Sequence, residues 1–426
     1  QGDKIFNYHG LEREMEKAVD PPQMLVLDEC HALKNATSRR TQLAMQLSIL
    51  MEQKWGKDCA VIGLTGTPAS EDFFDWWSIC EVVRPGWLKE PSFNQYKFRI
   101  ANFSVGQRAD GGGFPQFDGW KKHTSGEDPK KFKPCQNKGC EVCDILPRRL
   151  SGLVFVTWKK DCLDLPEKVY EERVLPVSEA TKRVAQAIGR MGLRAIEVQS
   201  RLRQLSDGFR YEHTKDTPYT VNKAENQAGN QSALQEFNYG IPTKEVRTSK
   251  GKTPKDEALI EILEEQKETR PHRLVVYAAF TASVDRCVEI AQKEGWNVWR
   301  YDGRGQYSFG KYSGITESIF QDPTGYPEPI CFVGNPEAAG QGLTLTPSPT
   351  IVYYSNSFKG QFRVQSEDRI HRPGASKERG CKIIDLIHLP TDKLVLDRLK
   401  SKRNAELITL EEINASLSAL PLIDSL

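Results

Sequence analysis

Met24-Leu25-Val26-Leu27-Asp28-Glu29-Cys30-His31 decides the fold. Four consecutive apolar residues ending on two carboxylates read as a short, buried strand. A helical stretch from about Ser38 to Lys54 follows, then a second apolar run, Ala60-Val61-Ile62-Gly63-Leu64. Strand, helix, strand in so short a span is the rhythm of a parallel sheet. It returns at Leu274-Val275-Val276-Tyr277. There Thr281 reads as a helix N-cap, Val284, Cys287, Val288 and Ala291 share one helix face, and Gly295 stops it. Ile330 to Val333, Ile351 to Tyr354 and Lys382 to Leu386 are further strand candidates. The expected class is α/β, without a solenoid repeat.

Between the two α/β stretches, from about Arg84 to Lys250, the texture changes. Residues 104–147 carry Gly111-Gly112-Gly113, many lysines and a cysteine cluster, and read as an insertion with little core of its own. Val177 to Leu205 reads as helical, and the polar stretch 212–250 as a loop. The expected divisions are 1–84, an insertion 85–165, a helical linker and loop 166–250, and 251–426. With 38% hydrophobic and 27% charged residues over 426 positions, the chain reads as a soluble globular protein of two or three domains. No apolar run is long enough to span a membrane, so no membrane partner is expected. The net charge of +2 points to no particular partner, although 59 basic and 57 acidic residues leave room for local patches.

Carboxylates at the C-terminal end of a parallel strand face the crevice where such sheets bind ligands. One of the Asp28-Glu29 pair can hold Mg²⁺, and the other can orient or deprotonate an attacking water. By itself, an Asp-Glu at a strand end is more often only solvated. Gly63-Leu64-Thr65-Gly66-Thr67-Pro68 ends the next strand with small hydroxyl residues between glycines, by itself no more than a turn. Near the other end stands Gln365-Ser366-Glu367-Asp368-Arg369-Ile370-His371-Arg372. If helical, Arg369 and Arg372 share a face, with Gln365 one turn earlier and Asp368 placed to orient a guanidinium. Two planar forks of donors suit a polyphosphate. Upstream, Gly334 to Thr346 is rich in small residues, and Gly340 and Gly342 permit close backbone approach.

Taken together, Leu27-Asp28-Glu29-Cys30-His31-Ala32-Leu33-Lys34-Asn35 and Gly63 to Pro68 resemble motifs II and III of superfamily 2 helicases, in the Swi/Snf branch of DNA translocases. Cys30 stands where that family usually has Ala. The Gly340 and Arg369 segments resemble motifs V and VI, and Val275 to Phe280 with Tyr301-Asp302-Gly303 resemble motif IV and its successor. Arg148-Arg149, Leu165 to Lys168 and Leu202 to Leu205 resemble the family's exit from lobe one and its linker.

The resemblance implies two RecA-like parallel-sheet lobes, the first incomplete, with an insertion between them. It implies an ATP hydrolase moving on double-stranded DNA, with ATP and Mg²⁺ as cofactors. Asp28 would hold Mg²⁺, Glu29 would activate water, and Arg369 and Arg372 would stabilise the transferred phosphoryl group. His31, Thr65, Gly340, Gly342 and Gln365 complete the implied nucleotide-binding set.

One part is missing. The phosphate loop Gly-x-x-x-x-Gly-Lys-Ser/Thr does not occur. Gly251-Lys252-Thr253 offers only its end, with Val246 where the first Gly belongs. In the family that loop lies well upstream of motif II, and Ile5 to Leu11 resembles the segment shortly before it. The expectation is therefore a chain starting partway through lobe one, inactive by itself, with the loop supplied by a missing segment or a partner. The rival reading is a non-catalytic DNA-binding or scaffolding protein derived from a motor. A strand-separating RNA helicase is a weaker one.

Cys135, Cys140 and Cys143 lie within nine residues among polar neighbours, a spacing that suits Zn²⁺, with His123 or Cys162 as fourth ligand. The plain alternative is three free thiols. Most of the other cysteines, for example Cys59, Cys287 and Cys331, sit in apolar runs and suit a reducing compartment, so a cytoplasmic chain is expected. Compact size points to a bacterial or phage setting. Lys121-Lys122, Lys130-Lys131-Phe132-Lys133 and Arg148-Arg149 are candidates to track a phosphate backbone. Trp76-Trp77 and Trp120 could stack on bases, but the plain reading is preferred for the tryptophans, with Trp76-Trp77 as core.

Overall fold

Leu25 and Leu27 of strand β1 (Met24–Asp28) are buried against the helix Arg39–Trp55, whose Leu43, Ala44, Leu47 and Met51 form its inner face. Ser38 caps that helix through its hydroxyl, and β2 (Ala60–Leu64) lies parallel to β1. The structure is a computed structural model describing residues 7–17, 20–69, 72–107, 112–124, 135–212, 244–247, 252–312, 314–339 and 342–401. It divides into two units, the first running to Cys162 and including Lys359–Gln361 and the residues from Asp397, the second comprising Leu163–Phe358 and Phe362–Leu396.

In the first unit, the helix Asp75–Val83 closes the β1–β2 core with Ile79 and Val82 and starts a second core with Trp76, Trp77 and Cys80. The expected insertion, read as having little core of its own, shares that second core. Leu88, Tyr96, Ile100, Cys140, Val142, Leu146 and Leu150 all pack into it. Sequence distance hides this, because its apolar residues arrive singly from separated segments. A hairpin, β3 (Ala101–Gln107) and β4 (Gly113–Trp120), leans on it through Phe103, Phe117 and Trp120. The Trp120 ring sits 5.0 Å from Phe73 and 4.9 Å from Phe74. Trp76 and Trp77 are buried, as their apolar setting implied.

The second unit holds a seven-stranded sheet. Its strands are β5 (Lys168–Val174), β8 (Arg273–Tyr277), β9 (Asn297–Asp302), β10 (Gly305–Phe309), β11 (Ile330–Gly334), β12 (Thr350–Tyr353) and β13 (Cys381–Ile387). The order is β10-β9-β11-β8-β12-β13-β5, parallel except for the β9–β10 return. A further pair, β6 (Phe209–Glu212) and β7 (Lys244–Arg247), is antiparallel. The candidate strands at 274, 330, 351 and 382 all lie in the large sheet. β5 does not fit the expected linker over 166–250. Its Lys-Val-Tyr-Glu-Glu-Arg-Val sequence is mixed and has no buried residue, yet it pairs along its full length with β13 at the edge of the sheet. The helical stretch expected over Val177 to Leu205 is two helices, Glu179–Gly189 and Ala195–Ser206, with Gly192 at positive φ between them. Of the expected loop, 213–243 and 248–251 lie outside the described residues.

Leu274 and Val276 face a core with Leu259, Ile262, Val284, Cys287 and Val288, while Val275 and Tyr277 face another with Phe320, Phe332 and Ile351. Each fully buried aliphatic side chain contributes about 1.5–3 kcal/mol. The helix Thr281–Lys293 begins at the expected cap, one residue earlier than expected. Its N-cap is Phe280, and Thr281 is its first turn. Gly295 follows its end at φ +75°, where a residue lacking Cβ is favoured. Thr253, the end of the false phosphate-loop match, caps the helix Pro254–Glu268 instead. Beneath it lies a buried charged network. Lys255 Nζ donates to Asp207 at 2.8 Å and Asp392 at 3.1 Å, and Asp256 accepts from Arg286 Nε at 2.7 Å and Tyr354 at 2.9 Å.

Candidate functional site

β1 ends on Asp28, which is exposed, and the next residue, Glu29, takes the left-handed conformation at φ 50°. That turn swings the chain into a 3-10 turn over Cys30–Leu33. The Glu29 N–H donates to Asp28 Oδ1 at 3.0 Å, and the Tyr8 hydroxyl donates to the Asp28 carbonyl at 2.6 Å. Burial, with Cys30 and both carboxylates nearby, pushes the Tyr8 phenol up, so it remains a donor.

His31 is buried, and its Nδ1 lies 3.1 Å from Glu29 Oε2 and 3.1 Å from Thr65 Oγ1. Thr65 Oγ1 also accepts the Thr67 N–H at 3.1 Å. One imidazole therefore ties the acidic turn after β1 to the Thr-Gly-Thr turn after β2. Glu29 is 47% exposed, so its carboxylate meets solvent while held from behind. Asp28, Glu29, His31 and Thr65 are thus brought together as a group.

Cys30 packs beneath this turn. A Cβ on Gly63 would meet Cys30 Sγ at 3.0 Å and Val83 Cγ2 at 3.3 Å, so the glycine is what lets β2 pass. Burial, with Glu29 beside it, pushes the Cys30 thiol up to about 12. It is a neutral packing group.

In the second unit the helix Gly360–Glu367 carries Gln365 but stops before both arginines, which corrects the helical reading of the segment. Arg369 and Arg372 sit on successive turns, with Ile370 buried between them. They converge nevertheless, since each donates from Nη1 to the Leu343 carbonyl at 3.2 Å. Arg372 also reaches Thr344 Oγ1 at 3.1 Å. The Gly342 region is therefore bound to the arginines through its backbone, and Gly342 itself stands at φ +82°. Gly340 lies outside the described residues. Gln365 is buried, and its carboxamide oxygen has no hydrogen-bond partner among the described residues. Asp368 accepts from Lys168 Nζ at 3.2 Å.

Arg363 was not singled out from the sequence. It is buried, donates to Asp385 from Nη1 at 2.6 Å and to Glu367 from Nε at 2.8 Å, and lies 3.5 Å over the Tyr353 ring. Glu367 also takes Lys168 at 3.1 Å and Tyr170 at 2.8 Å. These partners hold the arginine-bearing segment to β5, β12 and β13. The signal was available as a charged residue among apolar neighbours, yet its partners are distant in sequence.

Elsewhere in the first unit, His123, Cys135, Cys140 and Cys143 cluster with ligand atoms within 4.8 Å of one another. His123 Nδ1 is 3.5 Å from the sulfurs of both Cys140 and Cys143. The Cys143 thiol beside it, more than burial opposes, brings Cys140 down to about 4, while Cys143 is pushed up. Of the two candidate fourth ligands, His123 is in the group, and Cys162 is exposed outside it. Among the basic candidates, Arg149 is committed to Glu90 at 2.5 Å and Arg148 to Asp144 at 2.9 Å. Lys130, Lys131 and Lys133 lie outside the described residues.

No protein-family model matches the chain. Curated proteins do. The lymphoid-specific helicase of Homo sapiens is 26% identical over 144 residues, 34% of this chain. The chromatin-remodeling ATPase INO80 of Candida glabrata is 25% identical over 156 residues, 37% of the chain. The transcription regulatory protein SNF2 of Saccharomyces cerevisiae is 23% identical over 410 residues, 93% of the chain. The chain spans only 16%, 10% and 21% of those relatives' own lengths. Among solved structures, the C-terminal part of the Fun30 ATPase domain matches with a TM-score of 0.36 and 15% identity, covering 59% of this chain and 99% of that one. The Sulfolobus solfataricus SWI2/SNF2 ATPase core in complex with dsDNA matches with a TM-score of 0.33 and 18% identity, covering 97% and 76%.

Proposed function

We propose, on the premise that this chain is a relative of the Swi/Snf-type ATPases, that it carries the water-activating carboxylate and the arginine pair of an ATP-driven motor moving on double-stranded DNA. The observation that carries this reading is the junction at His31, where one buried imidazole links Glu29 to Thr65. A solvated Asp-Glu pair has no need of it.

The residues present fit the metal end of Mg²⁺–ATP. Asp28 offers an exposed carboxylate at the end of a parallel strand, a hard oxygen donor of the kind Mg²⁺ takes. Bound Mg²⁺–ATP supplies the transferable phosphoryl group and neutralises its charge. Glu29 accepts the proton of the attacking water. His31 holds Glu29 in the left-handed turn and passes its position to Thr65. Arg369 and Arg372 carry positive charge to the phosphoryl oxygens, and the shared Leu343 carbonyl keeps their forks in register. Gln365 presents its unpartnered oxygen as an acceptor.

The phosphate cradle is the part these 426 residues do not contain. We assign it to a further polypeptide segment that covers the outer face of β1 and β2. Met24, Val26, Ile62 and Leu64 on that face are 61%, 53%, 42% and 49% exposed, and parallel sheets are buried on both sides. A scaffolding role is the alternative if no such segment exists.

The test supplies a phosphate-loop segment by fusion or in trans and measures DNA-stimulated ATP hydrolysis. Near-background activity of the chain alone and DNA-dependent turnover on supplementation are expected. Glu29→Gln should abolish that turnover while leaving ATP binding intact. Turnover that survives Glu29→Gln overturns the assignment, and a supplemented complex that binds DNA without hydrolysis supports the scaffold.

A further inference from the structure

We propose that His123, Cys135, Cys140 and Cys143 form a closed, structural Zn²⁺ site that fastens the β3–β4 hairpin to the first unit. The geometry is close to what the ion requires. With Zn–N of about 2.05 Å and Zn–S of about 2.3 Å, a tetrahedron has nitrogen–sulfur edges of about 3.5 Å and sulfur–sulfur edges of about 3.8 Å. His123 Nδ1 is 3.5 Å from two of the sulfurs, and all four ligand atoms lie within 4.8 Å of one another. A disulfide would join only two of the thiols and leave the third, with the imidazole, facing it.

The backbone around the ligands is built to hold them. The Glu141 N–H donates to the Lys121 carbonyl at 3.2 Å, and Asn137 Nδ2 donates to the Lys122 carbonyl at 2.6 Å. These bonds lace the His-bearing segment to the Cys-bearing one. Gly139, at φ +98°, makes the tight turn between Cys135 and Cys140, and its N–H donates to Asp144 Oδ2 at 2.6 Å. Cys140 and Cys143 then enter the core with Val142, Leu146 and Leu150, so the site is anchored on its inner side.

Four protein ligands leave no open position for substrate or water, which marks a structural rather than a catalytic ion. Its place in the chain shows what it stabilises. Among the described residues β3 and β4 pair only with each other, and a lone two-stranded hairpin is marginal in water. Aromatic packing holds one face of it, and His123, three residues beyond β4, ties its end to the cysteines. The ion takes no part in the ATP chemistry, so this inference stands apart from the motor reading.

The full chain, purified without chelators, is assayed by elemental mass spectrometry and, after exchange, by the visible absorption of thiolate-bound Co²⁺. About one Zn²⁺ per chain and a tetrahedral Co²⁺ spectrum are expected. Cys140→Ser should lose the metal, His123→Cys should keep it, and Cys162→Ser should match wild type. Hydrogen exchange in 101–120 should speed up on chelation. A folded chain that takes up no Zn²⁺ or Co²⁺ overturns the proposal, as does a Cys140→Ser variant that binds like wild type. Should Cys140→Ser fail to fold, the Co²⁺ spectra of wild type and His123→Cys decide, and spectra lacking thiolate charge transfer overturn it.

Discussion

The parallel strands of the two units are built from the same kind of sequence and end in different environments. β8, β11 and β12 are buried at every residue, with apolar side chains on both faces. β1 alternates, exposed and buried by turns, although Met24-Leu25-Val26-Leu27 is as apolar as Leu274-Val275-Val276-Tyr277. An alternating sequence would explain one wet face in an antiparallel sheet. Here a continuous apolar run is half exposed. Among the described residues, the second unit's sheet has seven strands and the first unit's has two.

The sharpest way to press this comparison is chemical, because the proposed function assigns residues of both units to ATP hydrolysis. In a supplemented motor, Arg372→Ala should lower DNA-stimulated turnover roughly 10³-fold or more, the scale of an arginine finger. A rate within a few-fold of wild type would remove the second unit from the chemistry. Next comes packing. Leu274→Ala should cost about 2–5 kcal/mol, whereas Ile62→Ala in the chain alone should cost about 0.5 kcal/mol or less. Urea unfolding of both variants reads the difference. Equal costs would mean the outer face of β2 is already covered. A covering segment, once bound, should make Ile62→Ala weaken its association.

A smaller effect separates the units by pH. Burial would raise Asp256 and Asp392, but Arg286 and Lys255 respectively outweigh it and hold both carboxyls below their ordinary values. Their folded values are depressed, so the stability they contribute is present above an unfolded value of about 4 and is lost as pH falls below it. Glu81 in the first unit is raised by burial, so its contribution runs the other way and favours the folded state on acidification. Asp256→Asn should therefore flatten the acid limb of second-unit unfolding. An unchanged slope of stability against pH would remove Asp256 from the linkage.

Strand positions and the acidic turn were legible because apolar runs and the carboxylates that end them are local. The arginine segment was half legible. Its two arginines converge on the Leu343 carbonyl, but not by sharing a helix. The missed signal was Pro373, since a residue preceding proline is driven out of the helical region, and here that residue is Arg372. β5 was misread because an edge strand rich in charged residues looks like polar linker until its partner β13, more than 200 residues on, is known. The pairing of Arg363 with Asp385, the core beneath the insertion and the choice of His123 over Cys162 likewise depend on contacts that no spacing encodes.

The contact between Gly63 and Cys30 has an evolutionary corollary. Gly63→Ala forces a methyl against the sulfur, and removing the sulfur by Cys30→Ala clears the tightest of those contacts. The two substitutions should be epistatic, with the second acting as a suppressor of the first by about 0.5–3 kcal/mol, the range of directly touching residues. Positions 30 and 63 then drift as a couple. A lineage can enlarge the residue at position 30 only while the strand opposite keeps its glycine, and a methyl acquired there would close the route back to cysteine.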